Sequence, residues 1–286
     1  MAQLVMVEGL PGSGKSTTAE FLSGWLTERG QAVSFHPEGR TDHPVDFEQV
    51  AVLSTESLVG VVAAFPAQGE ELMRSVESLE GSWLVRYGQH PTWPADLRAR
   101  LAEHDAYDGA ITPEAHRRVL GASWEAFGNQ ADQDETVYVF ECVLVQNPLC
   151  ALMARFDQPA EVIESHVSRL ATAVARLNPV VVYLDAGEPT PALERAAAER
   201  PREWLDSVIE YHCGQGHGLA NGLTGFDGYV EFMRRRRAVE LDLLPRLGIP
   251  TLTVEVGAGD WAEHRARITA FLDQHLAPGE GLPLGA

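Results

Sequence analysis

The sequence predicts a three-layer α/β fold, a five-stranded parallel sheet with helices on both faces. Three observations carry this expectation. Residues 3–8 form an apolar run that passes through a glycine-rich turn straight into helical apolar spacing at 15–28. Four further β-prone runs recur at 31–35, 136–141, 179–185 and 250–256. The stretches between them carry helical spacing, the alternation that builds a parallel sheet through right-handed crossovers.

The turn after the first run reads Gly9-Leu-Pro-Gly-Ser-Gly14-Lys15-Ser16-Thr17, the Gly-x4-Gly-Lys-Ser spacing of a phosphate-binding loop. Its glycines let backbone N–H groups turn inward around a β-phosphate, Lys15 neutralises the β- and γ-phosphates, and the Ser16 hydroxyl is placed to ligate Mg²⁺. The dipole of the following helix adds positive potential at the same point. Gly9, Pro11, Gly12, Ser13, Gly14, Lys15, Ser16 and Thr17 are therefore expected to hold the nucleotide, and the predicted sheet is that of a P-loop NTPase. Lys15 is the only lysine among 22 basic residues. Lysine is kept where a flexible point charge must enter a tight cradle that a planar guanidinium fits badly.

Composition limits the partners. A formal charge of −19 disfavours nucleic acid and anionic membranes, whose affinity comes from Lys and Arg on phosphates. No apolar stretch approaches the ~20 residues that span a bilayer. The N-terminus enters the first strand without a basic leader, and Cys142, Cys150 and Cys213 are too few and too uneven for a disulfide framework. A cytoplasmic protein acting on a small molecule is the expectation.

After the first helix, the strand at 31–35 ends in His36-Pro37-Glu38-Gly39-Arg40. Ligands of open parallel sheets sit beyond the carboxyl ends of strands, which makes Glu38 and Arg40 candidates for acceptor binding and Glu38 a candidate base. Residues 42–135 show helical spacing at 46–64, 68–79, 95–106 and 113–128 and no clear strand, so a helical insertion is expected, with Tyr87, Trp93, Asp105, Tyr107 and Asp108 as candidate pocket residues. The runs at 136–141 and 179–185 end in Glu141 and Asp185. Pro201 interrupts the helical pattern that carries Arg195, and Arg200 and Arg202 flank that break. Glycines crowd residues 214–228 and suggest a mobile connection, so a lid over about 195–228 is expected. One domain over 1–276 and a flexible tail at 277–286 complete the outline. His212, Cys213 and His217 lack a fourth ligand at zinc spacing.

Several segments resemble the thymidylate kinase and deoxynucleoside kinase group of P-loop kinases. Val7-Glu8-Gly9 leading into Gly12-Ser13-Gly14-Lys15-Ser16-Thr17 is similar to the opening of thymidylate kinases. His36-Pro37-Glu38-Gly39 stands where those enzymes carry a Glu-Pro motif, Phe140-Glu141-Cys142 where they carry an acid followed by arginine, and Tyr183-Leu184-Asp185 with Arg195, Arg200 and Arg202 resembles their strand-to-lid segment. Cys142 departs from that pattern, and the insertion bears no matching nucleoside-recognition motif.

Phosphoryl transfer needs a metal-holding carboxylate, cations for the γ-phosphate and a group that orients the acceptor. Pattern alone favours Asp185 for Mg²⁺, whereas the resemblance favours Glu141. Lys15, Glu38, Glu141, Arg200 and Arg202 are the catalytic candidates, Arg195 joins the loop in nucleotide binding, and Ser16, Glu141 and Asp185 are the metal candidates. The expected activity is an ATP- and Mg²⁺-dependent kinase acting on a hydroxyl or phosphate of a small molecule, nucleoside-like or an antibiotic. An NTP hydrolase and a nucleotide-dependent switch are the alternatives.

Overall fold

The computed structural model describes residues 2–257 and 260–276, so the tail expected at 277–286 lies outside the described residues. Strand β1 (Gln3–Gly9) leads into α1 (Lys15–Glu28) and β2 (Val33–His36). Next come β3 (Ala51–Leu53), α2 (Thr55–Ala64), α3 (Gly69–Arg74), β4 (Val76–Leu79), β5 (Ser82–Val85), α4 (Ala95–Ala102) and α5 (Pro113–Ala131). The chain continues through β6 (Val137–Glu141), α6 (Gln146–Leu149), a π-helical turn (Cys150–Arg155), α7 (Ala160–Ala173) and β7 (Val180–Asp185). It closes with α8 (Pro189–Glu199), α9 (Arg202–Cys213), α10 (Gly216–Ala220), α11 (Gly225–Leu243), β8 (Thr251–Glu255) and α12 (Trp261–His275).

Two compact units result, one made of the residues up to Glu38 and from Gly128 onward, the other of Gly39–Phe127. The first holds the predicted sheet, five parallel strands in the order β2-β6-β1-β7-β8. All seven residues of β1 are buried, as a central strand covered on both faces requires. Val5 lies opposite Val139 on β6 and Val180 on β7, and one face of the sheet, with Val7, Val182 and Val254, packs on Ala19, Leu22 and Leu26 of α1 and Ile268 and Leu272 of α12. Each valine, leucine or isoleucine side chain so withdrawn from water contributes about 1.5–3 kcal/mol. On the opposite face Tyr183 of β7 donates to Glu240 of α11 (2.7 Å). Because β1 is central and the chain leaves it toward both edges, the crevice at its carboxyl end is where a ligand fits.

The second unit corrects the expectation of a purely helical insertion. It carries a three-stranded antiparallel sheet, β3-β5-β4, with its own cores around Leu58, Leu72, Leu97 and Leu101 and around Phe47, Val119 and Leu120. Strands of three or four residues are too short to show a period of two against the helical spacing that flanks them. The aromatic and acidic residues proposed as pocket lining serve this unit internally. Tyr87 donates to Asp105 (2.8 Å), Trp93 to Glu71 (2.9 Å) and Tyr107 to Asp46 (2.8 Å), while Asp105 also accepts the Tyr107 and Asp108 N–H groups.

Gly216 and Gly218, two of the glycines of 214–228, sit against backbone. A side chain at Gly218 would lie 2.3 Å from the His212 carbonyl oxygen, and one at Gly216 would lie 2.2 Å from that of Arg155. Gly216 and Gly218 thus permit close packing of α10, whereas Gly222 and Gly225 stand in open space.

Candidate active site

The loop between β1 and α1 is built by backbone conformations that only glycine supplies cheaply. Gly12 and Gly14 have φ of 77° and 89°, and a Cβ at Gly12 would come within 2.6 Å of the Ala192 carbonyl oxygen. Lys15 is buried and its ammonium donates to the Leu10 carbonyl (3.0 Å), so the loop holds its own cation in place. Ser13 is buried with an Oγ that has no partner among the described residues. Gly9 packs its backbone on Leu184, and Pro11, Gly12, Gly14, Lys15, Ser16 and Thr17 line a cavity of about 350 Å³.

Glu141 ends β6 beside this loop. Ser16 Oγ donates to its Oε1 (2.6 Å), and the Glu38 N–H donates to Oε2 (3.3 Å). The next residue, Cys142, has φ 69°, a left-handed conformation uncommon outside glycine that turns the chain sharply off the strand. That turn points the N–H groups of Leu144, Val145 and Gln146 at the Glu8 carboxyl (2.6, 3.4 and 3.2 Å). Complete burial still raises the Glu8 carboxyl to about 7, against these hydrogen bonds and with the nearby Glu240 charge helping.

Glu38 projects into the same cavity. Gln146 Nε2 donates to its Oε1 (2.5 Å) and the Cys142 thiol to its Oε2 (3.3 Å). Burial pushes the Cys142 thiol well up, so it stays protonated and acts as a donor. Behind Gln146, the fully buried Arg236 donates to Gln146 Oε1 (3.3 Å), to the Gly9 carbonyl (3.5 Å) and, through Nε, to Glu240 (2.6 Å). A line of partners therefore runs from the sheet through Glu240, Arg236 and Gln146 to Glu38.

The two strand-end carboxylates are treated differently. Asp185 is gripped by Arg237 through two parallel bonds (2.6 and 2.7 Å) and accepts the Gly187 N–H (2.9 Å). Partial burial alone would raise its carboxyl, but Arg237 and the Gly187 N–H outweigh it and hold the group below its ordinary value. Glu38, Glu141 and Cys142 bring one potential ligand atom each within 4.8 Å of one another, whereas Asp185 belongs to no such group among the described residues. His212, Cys213 and His217 form none either. His212 donates from Nδ1 to the Val208 carbonyl (2.7 Å), and His217 pairs with Asp157 (2.7 Å).

Of the three arginines assigned to a lid, Arg200 lines the cavity, its guanidinium 4.4 Å from the Trp204 ring centre. Arg202 is exposed and pairs with Asp206 (2.9 Å), and Arg195 is exposed on α8. Arg40 forks onto its neighbour Asp42 (2.5 and 2.6 Å). Sequence reasoning missed Gln146, Tyr229 and Met233, which line the cavity together with His212 and Arg236. One signal was present, since Tyr229, Met233, Arg236 and Glu240 recur at intervals of four, three and four, a polar-interrupted stripe along one face of α11.

No protein-family model matches the sequence, and no curated protein matches it. Two kinases of solved structure are similar to it. The thymidylate kinase from Candida albicans shares 11% identity with a TM-score of 0.45, over 96% of this chain and 92% of that one. A deoxyadenosine kinase from M. mycoides, solved with bound dATP, shares 11% identity with a TM-score of 0.43, over 95% and 99% of the two chains. Among the described residues, no helix is long and apolar enough to cross a membrane.

Proposed function

We propose that the protein is an ATP- and Mg²⁺-dependent phosphotransferase that moves the γ-phosphoryl group to a hydroxyl or phosphate of a small-molecule acceptor. The observation that carries this is the junction of three groups at one cavity: the Lys15 loop, the Ser16–Glu141 pair at 2.6 Å, and Glu38 held by Gln146. The oxygen donors of Ser16 and Glu141 suit a hard cation, and a thiol kept protonated does not compete for a soft one. Mg²⁺ held by Ser16 and Glu141 supplies neutralisation of charge on the β- and γ-phosphate oxygens.

The chain's own residues do the rest. Loop N–H groups and Lys15 orient the triphosphate, and Glu38 accepts the proton of the acceptor hydroxyl as its oxygen bonds to the γ-phosphorus and the bond to the ADP oxygen breaks. Arg200 at the cavity rim supplies positive charge to the transferring group. A cavity continuing past Glu38 to α9 and α11 supports an organic acceptor in preference to water as the nucleophile's source.

The test is ATP consumption by wild type and Lys15→Ala, with and without a panel of small alcohols and phosphate esters. Acceptor-dependent turnover that disappears in the folded variant is expected. Equal turnover in the variant rejects the reading, and acceptor-independent turnover transfers it to hydrolysis.

A further inference from the structure

Phosphoryl transfer brings the attacking oxygen in line with the oxygen that leaves, so the acceptor and the rest of the nucleotide lie on opposite sides of the transferred group. In the reading above, Glu38 after β2 and Glu141 on β6 take the acceptor and the metal on one side of β1. The nucleoside end of the nucleotide then leaves the glycine-rich loop on the other side, toward the ends of β7 and β8.

Trp261, the first residue of α12 after β8, reaches the loop from that side. It opens the stripe Trp261, His264, Ile268 and Leu272, spaced by three, four and four residues, whose last two members are buried on the sheet. A Cβ on Gly14 would lie 2.7 Å from the indole Cη2, so the ring rests directly on the residue that caps α1. The tryptophan is nevertheless 38% exposed. An aromatic surface left in water beside this loop is one that a second flat ring can cover favourably.

A second side chain at the same place lacks a partner. His264 is 4% exposed, its ring meets that of Trp261 with centres 5.5 Å apart and planes at 89°, and neither ring nitrogen has a hydrogen-bond partner among the described residues. An imidazole carries at least one N–H, so its burial without a partner is a standing cost that a polar ligand relieves. A nitrogen-bearing ring laid on Trp261 brings hydrogen-bonding edges to this spot, and an aliphatic group does not.

We infer that Trp261 is the platform on which the base of the nucleoside triphosphate stacks, and that the site takes purine nucleotides without distinguishing adenine from guanine. This rests on the phosphotransferase reading above. Every base has a π-face, so a stacking platform selects by ring area more than by hydrogen-bond pattern, and a purine covers more of the indole than a pyrimidine does. An imidazole presents a donor or an acceptor according to its tautomer, so His264 suits the exocyclic amino group of adenine and the exocyclic carbonyl of guanine alike.

The experiment measures, by titration calorimetry, the Kd of the Mg²⁺ complexes of ATP, GTP, CTP and inorganic triphosphate for wild type, Trp261→Leu and Trp261→Phe. Leucine keeps an apolar side chain against Gly14 but offers no ring. Wild type is expected to bind ATP and GTP to within a few-fold of each other, and both more tightly than CTP or triphosphate. Trp261→Leu should weaken ATP and GTP by about tenfold and leave triphosphate unchanged, because it removes the stack and not the loop. Trp261→Phe should retain most of the affinity, and the quenching of tryptophan fluorescence by ATP should be largely lost in it while ATP still binds, a measurement that decides the matter even if Trp261→Leu does not fold. Unchanged ATP affinity in a folded Trp261→Leu overturns the inference, as does full quenching in Trp261→Phe. Equal losses of ATP and triphosphate in a folded Trp261→Leu also overturn it, by making Trp261 a brace for the loop alone, and so does a preference above about tenfold between ATP and GTP. Failure of wild type to bind any of the four ligands would instead overturn the phosphotransferase reading, which keeps the two failures apart.

Discussion

Two carboxylates end the strands on either side of β1, and their surroundings have little in common. Glu141 on β6 meets a serine hydroxyl and a backbone N–H, both neutral donors, beside the glycine-rich loop between β1 and α1. Asp185 on β7 meets a guanidinium in a two-bond fork. A carboxylate that receives only neutral donors keeps its charge available to a cation, whereas one already paired with arginine has spent it. The role of a strand-end acid is therefore set by what reaches it from elsewhere, here a residue of α1 in one case and a residue of α11 in the other.

The sharpest way to break this contrast is to neutralise each acid in turn. Glu141→Gln is expected to lower kcat by at least about 10²-fold, because a metal site contributes several kcal/mol to charge stabilisation in the transition state. Asp185→Asn should leave kcat within a few-fold and instead destabilise the fold by about 1–3 kcal/mol, since it strips Arg237 of its charged partner. Steady-state kinetics and urea unfolding on both variants decide it. The opposite ranking of rates would move the metal role to β7.

That ranking shows what could be read from the chain alone. The turn from Gly9 to Thr17 was legible as a strand–turn–helix because its glycines fall at fixed spacing between an apolar run and a helical one. The five parallel strands were legible because buried strands are continuous apolar runs. Glu141 and Asp185 could not be separated, because Arg237 lies 52 residues beyond Asp185 and nothing in either strand announces it. The same holds for Gln146 and Arg236, which reach Glu38 only through a turn made at Cys142 and a helix made much later. The short strands of the second unit were hidden by length, and the packed glycines near Gly218 looked like looseness because sequence shows a missing side chain but not the carbonyl that fills its place.

A second test concerns the two arginines at the junction of α8 and α9. Arg200 lines the cavity and Arg202, two residues on, pairs with Asp206 in solvent. Arg200→Ala is expected to lower kcat by about 10²-fold with a much smaller change in nucleotide Kd, as for a cation that meets the γ-phosphoryl group mainly in the transition state. Arg202→Ala should change neither rate nor stability beyond about 0.5 kcal/mol, the ordinary cost of losing an exposed ion pair. Equal losses in both variants would place the whole turn over the phosphates and erase the distinction between them.

The smallest effect is one of stability against pH, and it has opposite signs for two of the acids beside this cleft. Asp185 has its carboxyl held below the ordinary value, so its contribution is present above about 3.8 and is lost as the pH falls below that. Glu8, buried behind Glu141's strand end, titrates near 7 in the fold against about 4.5 when unfolded. Between those values the folded state binds the extra proton, so stability from Glu8 is complete below about 4.5 and is lost as pH rises through 7. Glu8→Gln mimics the protonated form and removes that dependence. The difference in unfolding free energy between wild type and Glu8→Gln should therefore fall by on the order of 3 kcal/mol from pH 4.5 to 8, and level off above. The matching difference for Asp185→Asn should be flat over that range and change only below about pH 4. A flat profile for Glu8→Gln would mean that the N–H groups of Leu144, Val145 and Gln146 hold the carboxylate charged in spite of its burial, and the cleft would then carry one more negative charge at neutral pH.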